Sequence, residues 1–286
     1  MILALILGLL WGRGAQWTEK VTLPALAIVM TLSTMGVPSS ALRSFSTFLG
    51  PALSGIVMNY LILGSVLLGL NAFLIHDEPL RAGFVIIAAV PPAVAVIPFT
   101  IFLNGDERRS LLGTIGAYLG ALMMTPLMAV TFLGPGLLDP AKLVVILIEL
   151  ILAPLIFSRV LIKVGMDAYL EPIKGAITNW SFFILTYTIV GLNRSLILTQ
   201  PLSLLPVVVI AGVSTFLLGW IIERTGRFFH LPPKTITSLI LLGTLKNYGL
   251  AGGLALALFS EKTSVPATVS AVFMIVYIIW LQFKTR

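Results

Sequence analysis

The stretch 241-LLGTLKNYGLAGGLALALF-259 decides how the rest of the chain is read. It lies in an apolar run long enough to cross a bilayer, yet it places Lys246 beside Asn247 and Tyr248 and sets Gly243, Gly249, Gly252 and Gly253 around them. A charge at membrane depth is costly and is kept where it meets a cavity or a partner. Glycine lowers the cost of leaving the helical conformation. The segment therefore predicts a transmembrane helix broken near its middle, with polar groups gathered at the break.

The surrounding chain is of the same kind. Of its 286 residues 58% are hydrophobic and only 10% charged, which excludes an ordinary soluble domain. A hydrocarbon core of about 30 Å takes roughly 20 apolar helical residues. Windows of that sort lie near 1–12, 21–37, 49–75, 80–103, 110–133, 141–163, 172–192, 202–222, 234–259 and 264–283, so ten helices are expected. The first is short and reads either as a tilted helix or as a signal-like segment; no small-residue cleavage site follows it, which favours the helix.

With ten alternating helices, eleven of the 18 Lys and Arg residues fall on one side, among them Arg108, Arg109, Arg227 and Lys284. Six fall on the other, including Arg81, Lys142 and Lys262, and Lys246 lies between. The asymmetry predicts a multi-pass protein of the plasma (inner) membrane with both termini cytoplasmic. It also explains the net charge of +7 without a nucleic-acid partner, because the basic residues are spread over loops. Zero cysteines exclude a disulfide framework and a thiol metal site. His76 and His230 stand in separate loops, and no GxSxG, HExxH or P-loop pattern occurs, so no enzyme and no organic cofactor is expected.

The informative residues are the polar ones at membrane depth: Asn59, Asn71, Glu149, Asn179, Lys246 and Asn247. Serines and threonines there are expected to bond a preceding carbonyl of their own helix. Asn71 and Asn179 lie near helix ends, within reach of the interface. Glu149, in 145-VILIELILAPL-155, is either a packing carboxyl or part of an ion path. The second break is in 88-AAVPPAVAVIPFTIFLNGD-106, where Pro91, Pro92 and Pro98 each remove a backbone donor. Interrupted helices in corresponding places of two halves point to a transporter site. Pro91 and Lys246 are 155 residues apart, each in the fourth helix of a set of five. Five is odd, so the second half must be inserted upside down. The predicted fold is all-α, with ten transmembrane helices in two inverted repeats, 1–134 and 135–286, and broken helices four and nine.

These segments, with 31-TLSTMGVPSSALRSF-45, 125-TPL-127 and 243-GTLKNYGLAGGLALA-257, resemble the bile acid:sodium symporter family, in the superfamily that includes auxin-efflux-type carriers. The resemblance implies a core of helices three to five and eight to ten, a panel of helices one, two, six and seven, and a crossing of the broken helices four and nine. It implies alternating access for an organic anion, bound near Pro91, Pro92, Ala93, Val96, Ile97, Asn247, Tyr248 and Gly249. Where family members place a Ser-Asn pair and a Glu and Gln that help bind sodium, this chain has Val96, Ile97, Leu242 and Lys246. Asn59 stands at a usual Gln, and Ser110 and Thr114 at hydroxyl positions. The expectation is that the Lys246 ammonium takes the place of sodium, with Asn59 and Asn247 as acceptors, or that Lys246 pins the crossed helices, paired with Glu149. On the second reading the chain is a transporter of the symporter type for an organic anion or small organic acid; on the first, sodium coupling gives way to sodium-independent or proton-coupled transport, and a sensor or assembly subunit on the same fold is the reading from another class.

Overall fold

The computed structural model describes residues 2–35, 45–93, 95–134, 145 and 148–285, and the described residues are almost wholly helical. In chain order the helices are α1 (Ile2–Leu10), α2 (Ala15–Met35), α3 (Phe45–Ile56), α4 (Gly64–Leu74), α5 (Glu78–Ala89), α6 (Val96–Phe102) and α7 (Glu107–Leu133). They continue as α8 (Ala153–Lys163), α9 (Met166–Leu192), α10 (Arg194–Thr199), α11 (Leu205–Gly212), α12 (Leu218–Phe228), α13 (Pro233–Thr244), α14 (Tyr248–Leu258) and α15 (Val265–Thr285). Arg43, Lys142 and most of the stretch 31–45 lie outside the described residues.

Five helical segments are long and apolar enough to cross a membrane: Phe48–Leu74, Glu107–Leu133, Met166–Leu192, Pro201–Phe228 and Lys262–Lys284. They coincide with the third, fifth, seventh, eighth and tenth sequence windows. The fourth and ninth windows are each two half-helices, α5 with α6 and α13 with α14. The first window is a helix, but its nine residues rise only about 14 Å, short of the hydrocarbon thickness. Large apolar side chains such as Phe73, Met123, Phe157 and Leu202 are exposed on the outside, as a lipid-facing surface requires.

The starts of the helices follow from capping chemistry. Asp77 accepts from the Leu80 amide at the head of α5, and Asp106 accepts from the Arg109 amide at the head of α7. Three π-helical turns, Val57–Leu63 between α3 and α4, Ile148–Leu152 before α8 and Val213–Leu217 between α11 and α12, interrupt otherwise regular helices. Nothing in the apolar pattern announces them.

The helices pack largely in neighbouring pairs. Helix α9 lies along α2 and α1, and α2 along α8; α3 lies along α7, α12 along α13, and α5 against α4, α7 and α14. The α3–α7 contact is a seam of small residues: a Cβ added at Gly55 would sit 2.0 Å from the Gly113 carbonyl oxygen, and one at Gly116 would sit 2.5 Å from the Ala52 Cβ. Without a hydrophobic drive between helices in lipid, such close backbone approach supplies the packing energy.

Several buried hydroxyls bond their own helix as expected: Thr34 to Met30, Thr188 to Ile184, Thr215 to Ala211 and Thr244 to Ile240. Asn71 departs from its reading. It is buried, not interfacial, and its amide donates to the Arg81 carbonyl at 3.1 Å, tying α4 to the first turn of α5.

Candidate functional site

The two breaks meet. Helix α5 ends at Ala89, Val90 is extended, and the chain turns through Pro91 and Pro92 before α6 begins at Val96. Helix α13 ends at Thr244, Leu245 is extended, and α14 begins at Tyr248. The extended segments pair through an antiparallel bridge between Pro92 and Lys246, and the Asn247 amide donates to the Pro91 carbonyl at 2.9 Å. Val90, the residue before Pro91, is held in the extended region that a following proline favours.

Breaking a helix orphans its last carbonyls. Pro92 has no N–H, so the carbonyl of Ala88, four residues earlier, loses its helical donor. That carbonyl accepts from the Lys246 ammonium at 2.7 Å, and the Val90 carbonyl accepts from the same nitrogen at 2.8 Å. The carbonyl between them, on Ala89, takes the Thr125 hydroxyl from α7 at 2.7 Å. Three successive orphans at the end of α5 are thus satisfied by side chains from elsewhere. A cation at the C-terminal end of α5 also faces the negative end of its dipole.

The third acceptor of Lys246 is Asn59 Oδ1, at 2.7 Å. An ammonium has three donors, and all three are used. The side chain is fully buried, with its nitrogen 4.7 Å from the centre of the Tyr60 ring, a distance at which cation–π attraction adds to the hydrogen bonds. Asn59 sits on the π-helical turn Val57–Leu63, and its amide nitrogen points to the Leu242 and Leu245 carbonyls at 3.4 and 3.3 Å. One amide side chain therefore serves both half-helix ends, accepting from the lysine and donating to the end of α13.

Asn247 does not accept from Lys246, contrary to the sequence reading. Its Oδ1 caps α14 by accepting from the Leu250 amide at 3.0 Å, and its nitrogen donates to the Tyr118 hydroxyl at 2.9 Å and reaches Met30 Sδ at 3.4 Å. An Asn ahead of a helix is better placed to hold the first free amides than to reach a neighbouring side chain. Ser110, Thr114 and Tyr118 lie at four-residue spacing on α7. Thr100 Oγ1 lies 2.7 Å from both the Val96 carbonyl of its own helix and Ser110 Oγ, while the buried Thr114 hydroxyl has no partner.

The remaining expected residues divide. Pro91, Pro92, Ala93, Val96 and Tyr248 are buried at the crossing, and Ile97 is half-buried. Gly249 is half-buried and faces α9: a Cβ there would lie 2.9 Å from Phe182 and 3.4 Å from Leu185. Glu149 stands on the π-helical turn Ile148–Leu152 with its side chain exposed, and the hydrogen bonds of Lys246 go elsewhere. Tyr60, Tyr118 and Thr125 join the crossing without having been picked out. Tyr60 and Tyr118 could have been found as polar aromatics in apolar runs, next to Asn59 and four residues after Thr114.

Two interrupted helices that meet at their breaks around a buried charge, in a multi-pass helical chain, are the build of a secondary membrane transporter. The chain belongs to the sodium bile acid symporter family, which residues 23–200 match. It is similar to the "Uncharacterized sodium-dependent transporter YocS" of Bacillus subtilis (strain 168), at 25% identity over 226 residues, 77% of this chain and 68% of that protein.

The family name raises the question of where sodium would be held. Among the described residues no carboxylate is buried, and no group of three or more His, Cys, Asp or Glu could hold a metal. Val96, Ile97 and Leu242 bring no side-chain oxygen to the crossing, and Thr114 offers a single free hydroxyl. Hard cations want several oxygen ligands. The one set of three oxygens gathered at the crossing is filled by Lys246. The residues present do not fit a sodium ion there.

Proposed function

We propose that the protein is a secondary transporter that moves an organic anion across the membrane by alternating access, with its carrier site at the crossing. The observation that carries this reading is the pairing of the two interrupted helices between Pro91 and Asn247. A rigid structural subunit has no use for two broken helices whose backbone ends must be satisfied at such expense.

Spacing supports a ten-helix fold of two inverted repeats, 1–134 and 135–286. Helices α5 and α13 start 155 residues apart, at Glu78 and Pro233, and end 155 apart, at Ala89 and Thr244. The π-helical turns that start at Val57 and Val213 are 156 apart. The two broken helices also run in opposite directions. Asp77, at the start of the first, pairs with Lys262 at 2.6 Å, just past the end of the second. Asp106, just past the end of the first, takes its amide bonds to the Lys234 carbonyl at 3.0 Å and Ser238 at 2.9 Å, at the start of the second.

In this reading α1, α2, α8 and α9 are the panel, supported by the packing of α9 along α1 and α2 and of α2 along α8, and the rest is the core. Between them the crossing turns Asn247 and Gly249 toward Met30, Phe182 and Leu185, where an organic anion would lie. The positive end of the α14 dipole suits its charge. The core would carry the anion by sliding along the panel, with both termini on the cytoplasmic side of the plasma membrane. The test is uptake of taurocholate and a panel of labelled carboxylates into proteoliposomes. Gly249→Trp, whose Cβ alone would come within 2.9 Å of Phe182 and so wedges α14 off α9, should abolish uptake in a protein that still folds; undiminished uptake would place the route elsewhere.

A further inference from the structure

Lys246 is the only charged side chain among the described residues that is buried, and its surroundings are those of a cation site. Two backbone carbonyls, one amide oxygen and an aromatic face converge on Nζ, at 2.7, 2.8, 2.7 and 4.7 Å respectively. None of these groups is a counter-charge. Carbonyl and amide oxygens without a carboxylate are the ligands a monovalent cation takes from a protein, and here each receives an N–H instead. A neutral amine would bring two donors and a lone pair to three acceptors, so the set is matched to the charged form.

We infer that the Lys246 ammonium is a tethered replacement for the coupling cation, so that the crossing is assembled and charged without sodium. The inference rests on the transport reading for its consequence. A core whose positive charge is covalently attached makes the same contacts on every passage, and the sodium gradient does no work through this site. A sodium ion brought to the same oxygens would meet the ammonium at short range in a low-dielectric interior and be expelled. The binding of an anion near Asn247 and Gly249 would then draw on a charge that is always present.

Sodium alone is the probe. Thermal unfolding of the purified full-length protein is followed while sodium replaces N-methyl-D-glucamine at constant ionic strength, with direct binding of radioactive sodium measured alongside. The unmodified protein should show no saturable upward shift and no saturable binding. Lys246→Gln removes the charge and adds an amide oxygen to the three already present; it should acquire a saturable, sodium-specific upward shift, while Lys246→Met, with no oxygen, should not. A saturable sodium response in the unmodified protein overturns the inference, and that arm stands even if neither variant folds. Because sodium binding is read without uptake, a negative transport assay would sink the transport reading and leave this result intact.

Discussion

Asn59→Leu is the most exacting perturbation of the crossing, because the two side chains have the same number of heavy atoms and branch at the same carbon, so the change chiefly removes hydrogen bonding. Asn59 accepts one of the three N–H groups of Lys246 and points its own nitrogen at the Leu242 and Leu245 carbonyls. The last two contacts, at 3.4 and 3.3 Å, are long and contribute little. The first joins a charged donor at 2.7 Å in a fully buried site. A hydrogen bond to a charged group contributes about 1.5–3 kcal/mol, and stranding a buried donor costs at least about 1–3 kcal/mol. These ranges overlap because they describe the same lost contact, so a loss of about 2–4 kcal/mol is expected. For a chain of 286 residues, with an unfolding entropy of about 2.1 cal/mol/K per residue, that lowers Tm by roughly 3–7 °C. The assay is intrinsic fluorescence of the detergent-solubilised protein, which has five tryptophans. Asn59→Asp is the companion: against an ammonium it exchanges an amide acceptor for a carboxylate and should be milder than Leu. A shift for Leu within error of zero, or an Asp variant less stable than Leu, would refute the charge and role assigned to Lys246.

Three further outcomes are expected. Gly55→Ala puts a Cβ 2.0 Å from the Gly113 carbonyl oxygen on the backbone of α7, where no side chain can yield, so the cost should reach or exceed the roughly 1–3 kcal/mol typical of overpacking, read from the same melting curve. Thr125→Val strands the Ala89 carbonyl and should cost about 1–3 kcal/mol, whereas Thr131→Val, whose hydroxyl bonds its own exposed turn, should be near neutral. Reporter fusions after Arg109, Lys163 and Arg286 should read cytoplasmic and one at Lys262 external; an external C-terminus would sink both the topology and the inverted repeat.

The breaks were legible because proline and glycine act locally. The adjacent pair Pro91 and Pro92 removes two successive donors, and it is the pairing that marks the break, since the single prolines Pro24, Pro51, Pro126 and Pro172 are carried inside helices. The meeting of Asn59 with Lys246, separated by 187 positions, was legible for a different reason: a buried ammonium must find oxygen, and few side chains offered it. What escaped was backbone chemistry. The Ala88 and Val90 carbonyls bear no mark in the sequence, yet they supply two of the three ligands. Asn247 was misjudged because its reading began from its neighbour, when the helix that starts one residue later has first claim on it. The π-helical turns have no residue signature, although one of them presents Asn59.

The satisfaction of α5 by Lys246 bears on how the protein is made. The carbonyls of Ala88 and Val90 enter the membrane early, but the nitrogen that completes them is encoded 156 residues after Val90. At a synthesis rate of about 5–20 residues per second, the first broken helix waits roughly 8–30 s for its partner. During that interval its open end must be held by water or by the insertion machinery. A ribosome stalled before residue 246 would leave a half-made bundle with an unsealed helix end in the bilayer, a ready target for quality-control proteolysis.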